Sequence, residues 1–148
     1  MKEIAEKIRE EILTNKFELM KISPEIAGKK LNPSSWSKKE IIGHLIDSAV
    51  NNHQRIVRAA QNIALDFPPY NQNSWVEVQH YNEMDWNDLI ELFVRLNLHI
   101  CRVLEFLPDD VLSNPCNIGK ENPVTLKFII EDYLRHLKHH LDKILEKH

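Results

Sequence analysis

The stretch Thr125–Lys147, TLKFIIEDYLRHLKHHLDKILEK, decides the fold. Tyr133, Leu137, Leu141 and Ile144 recur at helical spacing and centre an apolar stripe. At about 100° per residue His140 falls inside that stripe, His136 at its edge, and His139 on the far side with Asp132, Arg135 and Asp142. His136 and His140 therefore stand one turn apart on one face, where both rings can reach a single metal ion. The residues alone leave a second reading open. Histidines, like Lys138, Lys143 and Lys147, are also favourable beside the partial negative charge at a helix C-terminus.

Working outward, the same periodicity runs through most of the chain. Only three glycines occur, and no segment alternates over strand length, so the sequence predicts an all-α chain. A first helix is expected from about Lys2 to Lys21, with Ile4, Ile8, Ile12, Leu19 and Ile22 buried, and it ends before Ser23-Pro24. Ser37 with Glu40 makes a capping box for a second long helix reaching about Leu65, and Trp36 just before it is placed to staple onto Ile41. Ile41, Ile42, Leu45, Ala49, Ile56, Ala60 and Ile63 form its apolar face. His44, Asp47, Asn51, Arg55 and Arg58 form a polar stripe roughly opposite, which either meets water or lines a cleft.

The run from Asp66 to Ser74 breaks the helical pattern at Pro68-Pro69. Its Phe67 and Tyr70, with Trp75, either wall a pocket or anchor the loop. Asn73 or Ser74 caps a short helix carrying Trp75 and Val78. Asp85 caps a third long helix, about Trp86 to Leu107, burying Leu89, Leu92, Phe93, Leu96, Ile100, Val103 and Leu104. An irregular connection with room for a small β-turn spans Pro108 to Pro123, and Thr125 caps the last helix. Four long amphipathic helices sharing one core make a four-helix bundle, expected as a single domain over residues 1–148.

With 43% hydrophobic and 28% charged residues and a net charge of -3, the chain reads as a soluble globular protein. No basic stripe points to nucleic acid and no apolar run approaches a membrane span. The charged, amphipathic start MKEIAEKIREEIL lacks a signal-peptide core, so a cytoplasmic location is expected. Cys101 and Cys116 form no CxxC, which suits a reducing compartment.

Three stretches taken together resemble the DinB/YfiT-like superfamily of metal-binding four-helix bundles, which includes bacillithiol and mycothiol S-transferases. They are Trp36-Ser37 leading into His44-Leu-Ile-Asp-Ser48 with Asn51 and Arg55; Tyr70-Asn-Gln-Asn-Ser-Trp75; and Thr125-Leu126 with Tyr133-Leu-Arg-His-Leu-Lys-His-His140. The similarity runs from about Asn32 to Ile144. It implies a site of His44, His136 and His140 for one divalent ion, zinc or nickel. Asp47, Asn51 and Arg55 are implied to lie close by as contacts of the ligands or of substrate, Arg55 suiting a carboxylate. His53, His80, His99 and His148 match no ligand position.

Three histidines would leave a coordination position for water or substrate, as catalytic zinc sites do. The expected function is a small-thiol S-transferase acting on a low-molecular-weight thiol and an electrophilic small molecule. A metal-dependent hydrolase and a metal-binding domain without turnover are the alternatives. Relatives of this kind often pair as homodimers. His44 sits about 150° from the centre of its helix's apolar face, so the resemblance, not the periodicity, turns it toward a metal.

Overall fold

The computed structural model describes residues 1–61 and 65–146. Its helices are α1 (Lys2–Met20), α2 (Pro24–Gly28), α3 (Lys38–Ala59), α4 (Gln72–Val78), α5 (Trp86–Glu105) and α6 (Leu126–Ile144). Three very short strands, β1 (Leu65–Asp66), β2 (Pro115–Asn117) and β3 (Val124–Thr125), complete it. The long helices α1, α3, α5 and α6 form the four-helix bundle that the periodicity predicts. Each of α1 and α3 packs against both α5 and α6. The order around the bundle is thus α1, α5, α3, α6, with the chain's first two long helices on a diagonal.

Their ends are set as the sequence dictates. The capping box of α3 closes in both directions: Glu40 N donates to Ser37 Oγ at 3.2 Å, and Ser37 N donates to Glu40 Oε2 at 2.8 Å. Asp85 accepts from the backbone N–H groups of Asn87 and Asp88 to start α5, and Thr125 from that of Phe128 to start α6. Lys38, in the first turn of α3, donates to the carbonyl of Ile144 at the end of α6 at 2.5 Å. That bond satisfies a terminal carbonyl with a cation and shows that α3 and α6 run antiparallel.

The apolar faces meet in one continuous core. Ile8, Ile12, Ile42, Leu45, Phe93, Ile100, Leu104, Leu137 and Leu141 are fully or almost fully buried. A polar pair crosses it, where the Tyr133 hydroxyl donates to Asn97 Oδ1 and Asn97 Nδ2 donates to the Phe93 carbonyl at 2.8 Å. Both side chains are thereby satisfied in the core. Among the described residues no helix is long and apolar enough to cross a membrane.

Three expectations need correction, and the all-α reading gains one small addition. The second long helix ends at Ala59, not Leu65. Asn114 Nδ2 donates to the Ala59 carbonyl at 2.8 Å, and Leu65 pairs in parallel with Cys116, so tertiary partners take over where helix was expected. The chain also contains a small sheet, ordered β1-β2-β3, with β2 and β3 antiparallel. Strands of two or three residues carry too little alternation to register in sequence. Gly119, at φ 80°, turns the β2–β3 connection through a backbone region that favours glycine. Asn71, not Asn73 or Ser74, caps α4, its side chain accepting from Ser74 N at 3.0 Å. Leu92 is 41% exposed, on the side of α5 that also carries the exposed Asp88, Arg95 and His99. Ile63, Lys147 and His148 lie outside the described residues.

Candidate metal centre

The antiparallel pairing brings His44, in the second turn of α3, against His136 and His140 in the second half of α6. One nitrogen from each imidazole lies within 4.8 Å of the other two. His44 Nε2 and His136 Nε2 are 3.0 Å apart, and the ring centroids of the three pairs are 5.0, 4.8 and 4.5 Å apart. Two nitrogens bound to one tetrahedral zinc at 2.0–2.1 Å stand about 3.3 Å apart. The closest pair is near that spacing already.

Burial dominates the electrostatics. It lowers the pKa of His44 to about 4, helped by the neighbouring His136, and that of His140 to about 3, helped by His136, His44, His139 and Lys143. His136 is also lowered, first by burial. All three rings are therefore neutral at pH 7, the state in which imidazole binds a cation without first losing a proton. Nδ1 of His44 and Nδ1 of His140 are buried without a hydrogen-bond partner. Buried imidazole nitrogens are normally satisfied, and a divalent ion would take the facing Nε2 atoms of His44 and His136 in place of their mutual contact. The donor set fits such an ion. The remaining nitrogen of His136, Nδ1, is 3.4 Å from Ser48 Oγ, one turn along α3 from His44.

Asp47 is 2% exposed. Its Oδ1 accepts from the Tyr81 hydroxyl and from Gln79 Nε2, each at 2.6 Å, while Oδ2 has no partner. Burial raises the Asp47 pKa, and those two hydrogen bonds oppose the rise. Gly43 makes the arrangement possible: a Cβ there would stand 2.0 Å from the Tyr81 ring. Tyr81 thus lies flat across Gly43 and reaches Asp47 one helical turn further on.

A cleft of about 220 Å³ opens beside His136, between α3 and α6. Ser48, Asn52 and Arg55 line it from α3, Tyr70 from the loop before α4, and Asp132 and Tyr133 from α6. Tyr70 packs against Trp75, ring centroids 4.8 Å apart. Burial raises the Tyr70 pKa, nearby Asp47 adds to the rise, and Arg55 opposes it. Trp36 meets the His44 ring at 5.0 Å.

The structure thus gathers His44, His136 and His140 and sets Arg55 and Tyr70 in the adjoining cleft. Trp75 stands behind Tyr70, and Asn51 donates to the Asp47 carbonyl at 2.8 Å within its own helix. Ser48 stands in the resembling stretch without a role of its own, and Asn52, Gln79 and Tyr81 are not singled out by sequence. Ser48 and Asn52 follow His44 at one- and two-turn intervals, a usable signal. Gln79 and Tyr81 have none, because a distant segment brings them to Asp47.

Comparison with known proteins agrees with this architecture. The model of the DinB superfamily matches residues 13–144. The chain belongs to the DinB superfamily. A protein of Oceanobacillus iheyensis provisionally named a metal-dependent hydrolase is 26% identical over 109 residues, 74% of this chain. The match spans 63% of that relative's length. YfiT from Bacillus subtilis, described as a probable metal-dependent hydrolase with an unusual four-helix bundle topology, superposes with a TM-score of 0.83 at 19% identity, covering 97% of this chain and 83% of its own. A mycothiol-dependent maleylpyruvate isomerase superposes at 0.76 with 13% identity, over 94% of this chain and 58% of its own. Identities this low establish shared fold. In this chain itself, the three-histidine cluster is the group of residues that could hold a metal ion.

Proposed function

We propose that this chain is a metal-dependent enzyme of one domain, in which His44, His136 and His140 hold one divalent ion, zinc or nickel. Its reaction joins a low-molecular-weight thiol to an electrophilic small molecule. The observation that carries this reading is the convergence of three neutral imidazoles beside a cleft with polar walls. When bound, the ion supplies Lewis acidity and lowers the pKa of a thiol or water placed on it. Three neutral ligands leave the ion's charge uncompensated, which favours an anionic sulfur partner.

The chain's own residues do the rest. Ser48 orients the His136 ring through Nδ1, directing Nε2 toward His44. Asp47, fixed by Tyr81 and Gln79, offers its free Oδ2 as an acceptor for a ligand or substrate proton. Tyr70 and Arg55 face the substrate, with Trp75 supporting Tyr70. Asn51 holds the local helix geometry behind Asp47.

The thiol-dependent isomerase among the structural neighbours supports thiol chemistry. Hydrolysis is the second reading, favoured by the descriptions of the Oceanobacillus and Bacillus relatives. Metal-loaded protein incubated with cellular thiols and 1-chloro-2,4-dinitrobenzene, in parallel with ester and amide substrates, separates the two. Conjugation abolished by His136→Ala supports the transferase. Hydrolysis abolished by the same change supports the hydrolase, and silence in both assays with tight metal binding supports a non-catalytic domain. Buried, unpaired Cys101 and Cys116 suit a cytoplasmic setting. Leu13, Phe17 and Met20, exposed along α1, suit a homodimer, which sedimentation at only 17.4 kDa would reject.

A further inference from the structure

Arg55 lines the cleft beside His136, and its guanidinium lies 5.9 Å from the centre of the Phe67 ring. Arg58 approaches the same ring at 5.3 Å. Phe67 is itself buried, 6% exposed, so both cations rest against one buried ring in cation–π contact. Among the described residues neither arginine forms a salt bridge with a carboxylate, although eleven other ion pairs tie up cations elsewhere. The acid that lines the cleft, Asp132, is bonded to Arg135 at 2.7 Å. Two guanidiniums around one ring with no counter-ion repel each other, and an anion placed between them removes that repulsion while meeting their forked donors.

We propose that Arg55 and Arg58, positioned by Phe67, form a carboxylate-recognising subsite, so that the electrophilic substrate of the neighbouring histidine centre is a short molecule with a carboxylate at one end. The length follows from the helix. His44 and Arg55 are on one side of α3, eleven residues or roughly 16 Å apart along its axis. Arg55 and His136 line the same cleft, so a molecule held there spans less than that distance, and the cleft's 220 Å³ admits a compact acid and not an extended chain. Asn52 and Tyr70 supply polar walls between the two ends. Arg55 binds the carboxylate inside the cleft; Arg58, exposed and sharing the Phe67 ring with Arg55, contributes mainly attraction. This substrate class rests on the metal-centre reading, but the subsite can be measured without turnover.

Isothermal titration of zinc-loaded protein with benzoate and with succinate, against benzamide and succinamide, tests it. Both carboxylates should bind and the amides should bind at least about tenfold more weakly. Arg55→Gln should reduce carboxylate affinity about tenfold or more and Arg58→Gln less, with zinc content unchanged in both. Arg55→Lys, which keeps the charge and loses the fork, should fall between wild type and Arg55→Gln, and covers the case in which the glutamine variant folds poorly. Carboxylate binding should persist in metal-stripped protein. No carboxylate binding by wild type, equal binding by the double Arg55→Gln/Arg58→Gln variant, or binding that vanishes with zinc yet ignores the arginines would each overturn the subsite. If the carboxylates bind as expected while no reaction is found in any assay, the enzymatic reading fails and the subsite stands.

Discussion

Two groups of histidines can be compared within this one bundle. His44, His136 and His140 meet between α3 and α6, while His53 and His99 meet between α3 and α5 with ring centroids 5.0 Å apart, the same separation as His44 and His136. The difference is burial and number. His44 is fully buried with its pKa lowered to about 4, and His140 reaches about 3. His99 is exposed, and among the described residues no third histidine, cysteine or carboxylate joins the His53–His99 pair. Proximity of two imidazoles is common at a helix seam. Three convergent rings, kept neutral by desolvation and left with orphaned nitrogens, are a different object.

The largest expected effect breaks the first group and spares the second. Untagged protein purified without added metal should carry about one equivalent of metal, and His136→Ala should weaken zinc affinity about a hundredfold or more in a chelator competition. His53→Ala and His99→Ala should leave both values unchanged. Undiminished metal in the combined His44, His136 and His140 alanine variant would reject the assignment.

Acid should separate the groups next. In metal-stripped protein the folded-state pKa of His44, about 4, lies below the ordinary 6.5, so between those values the unfolded chain binds more protons than the native one. Stability is therefore full above about pH 6.5 and falls as pH drops toward 4, on the order of 3 kcal/mol for His44. His140 extends the loss toward pH 3. Urea unfolding between pH 7.5 and 4 measures this, and His44→Gln should flatten the curve far more than His53→Gln.

A third change tests whether the shell around the buried group is as rigid as its packing requires. Gly43→Ala places a methyl 2.0 Å from the Tyr81 ring, a clash with the body of a packed side chain. It should cost about 1–3 kcal/mol in chemical unfolding and release Asp47 from Tyr81. No loss of stability would mean that Tyr81 has another resting place. The smallest effect is that of Ser48→Ala, which should weaken metal affinity about tenfold without changing stoichiometry, the scale expected for a residue that orients a ligand. An unchanged affinity would remove Ser48 from that role.

The sequence by itself determined the helices, and it did so through local physics. Ser37 and Glu40, Asp85, and Thr125 bond to backbone groups within three residues, so the starts of α3, α5 and α6 were legible. The His136 and His140 alignment follows from helical pitch alone. Where a helix ends against a distant partner the signal failed, as at Ala59, whose carbonyl is taken by Asn114. Tertiary structure alone decided the environment of the polar stripe on α3. Periodicity set His44 and Asp47 opposite the apolar face and had no means of saying what would cover them. α6 covers one and Tyr81 with Gln79 the other, turning a face whose periodicity fits water or a cleft equally into the wall of a buried centre. The reason is that a wheel records directions on one helix, whereas desolvation depends on what other segments bring to each direction.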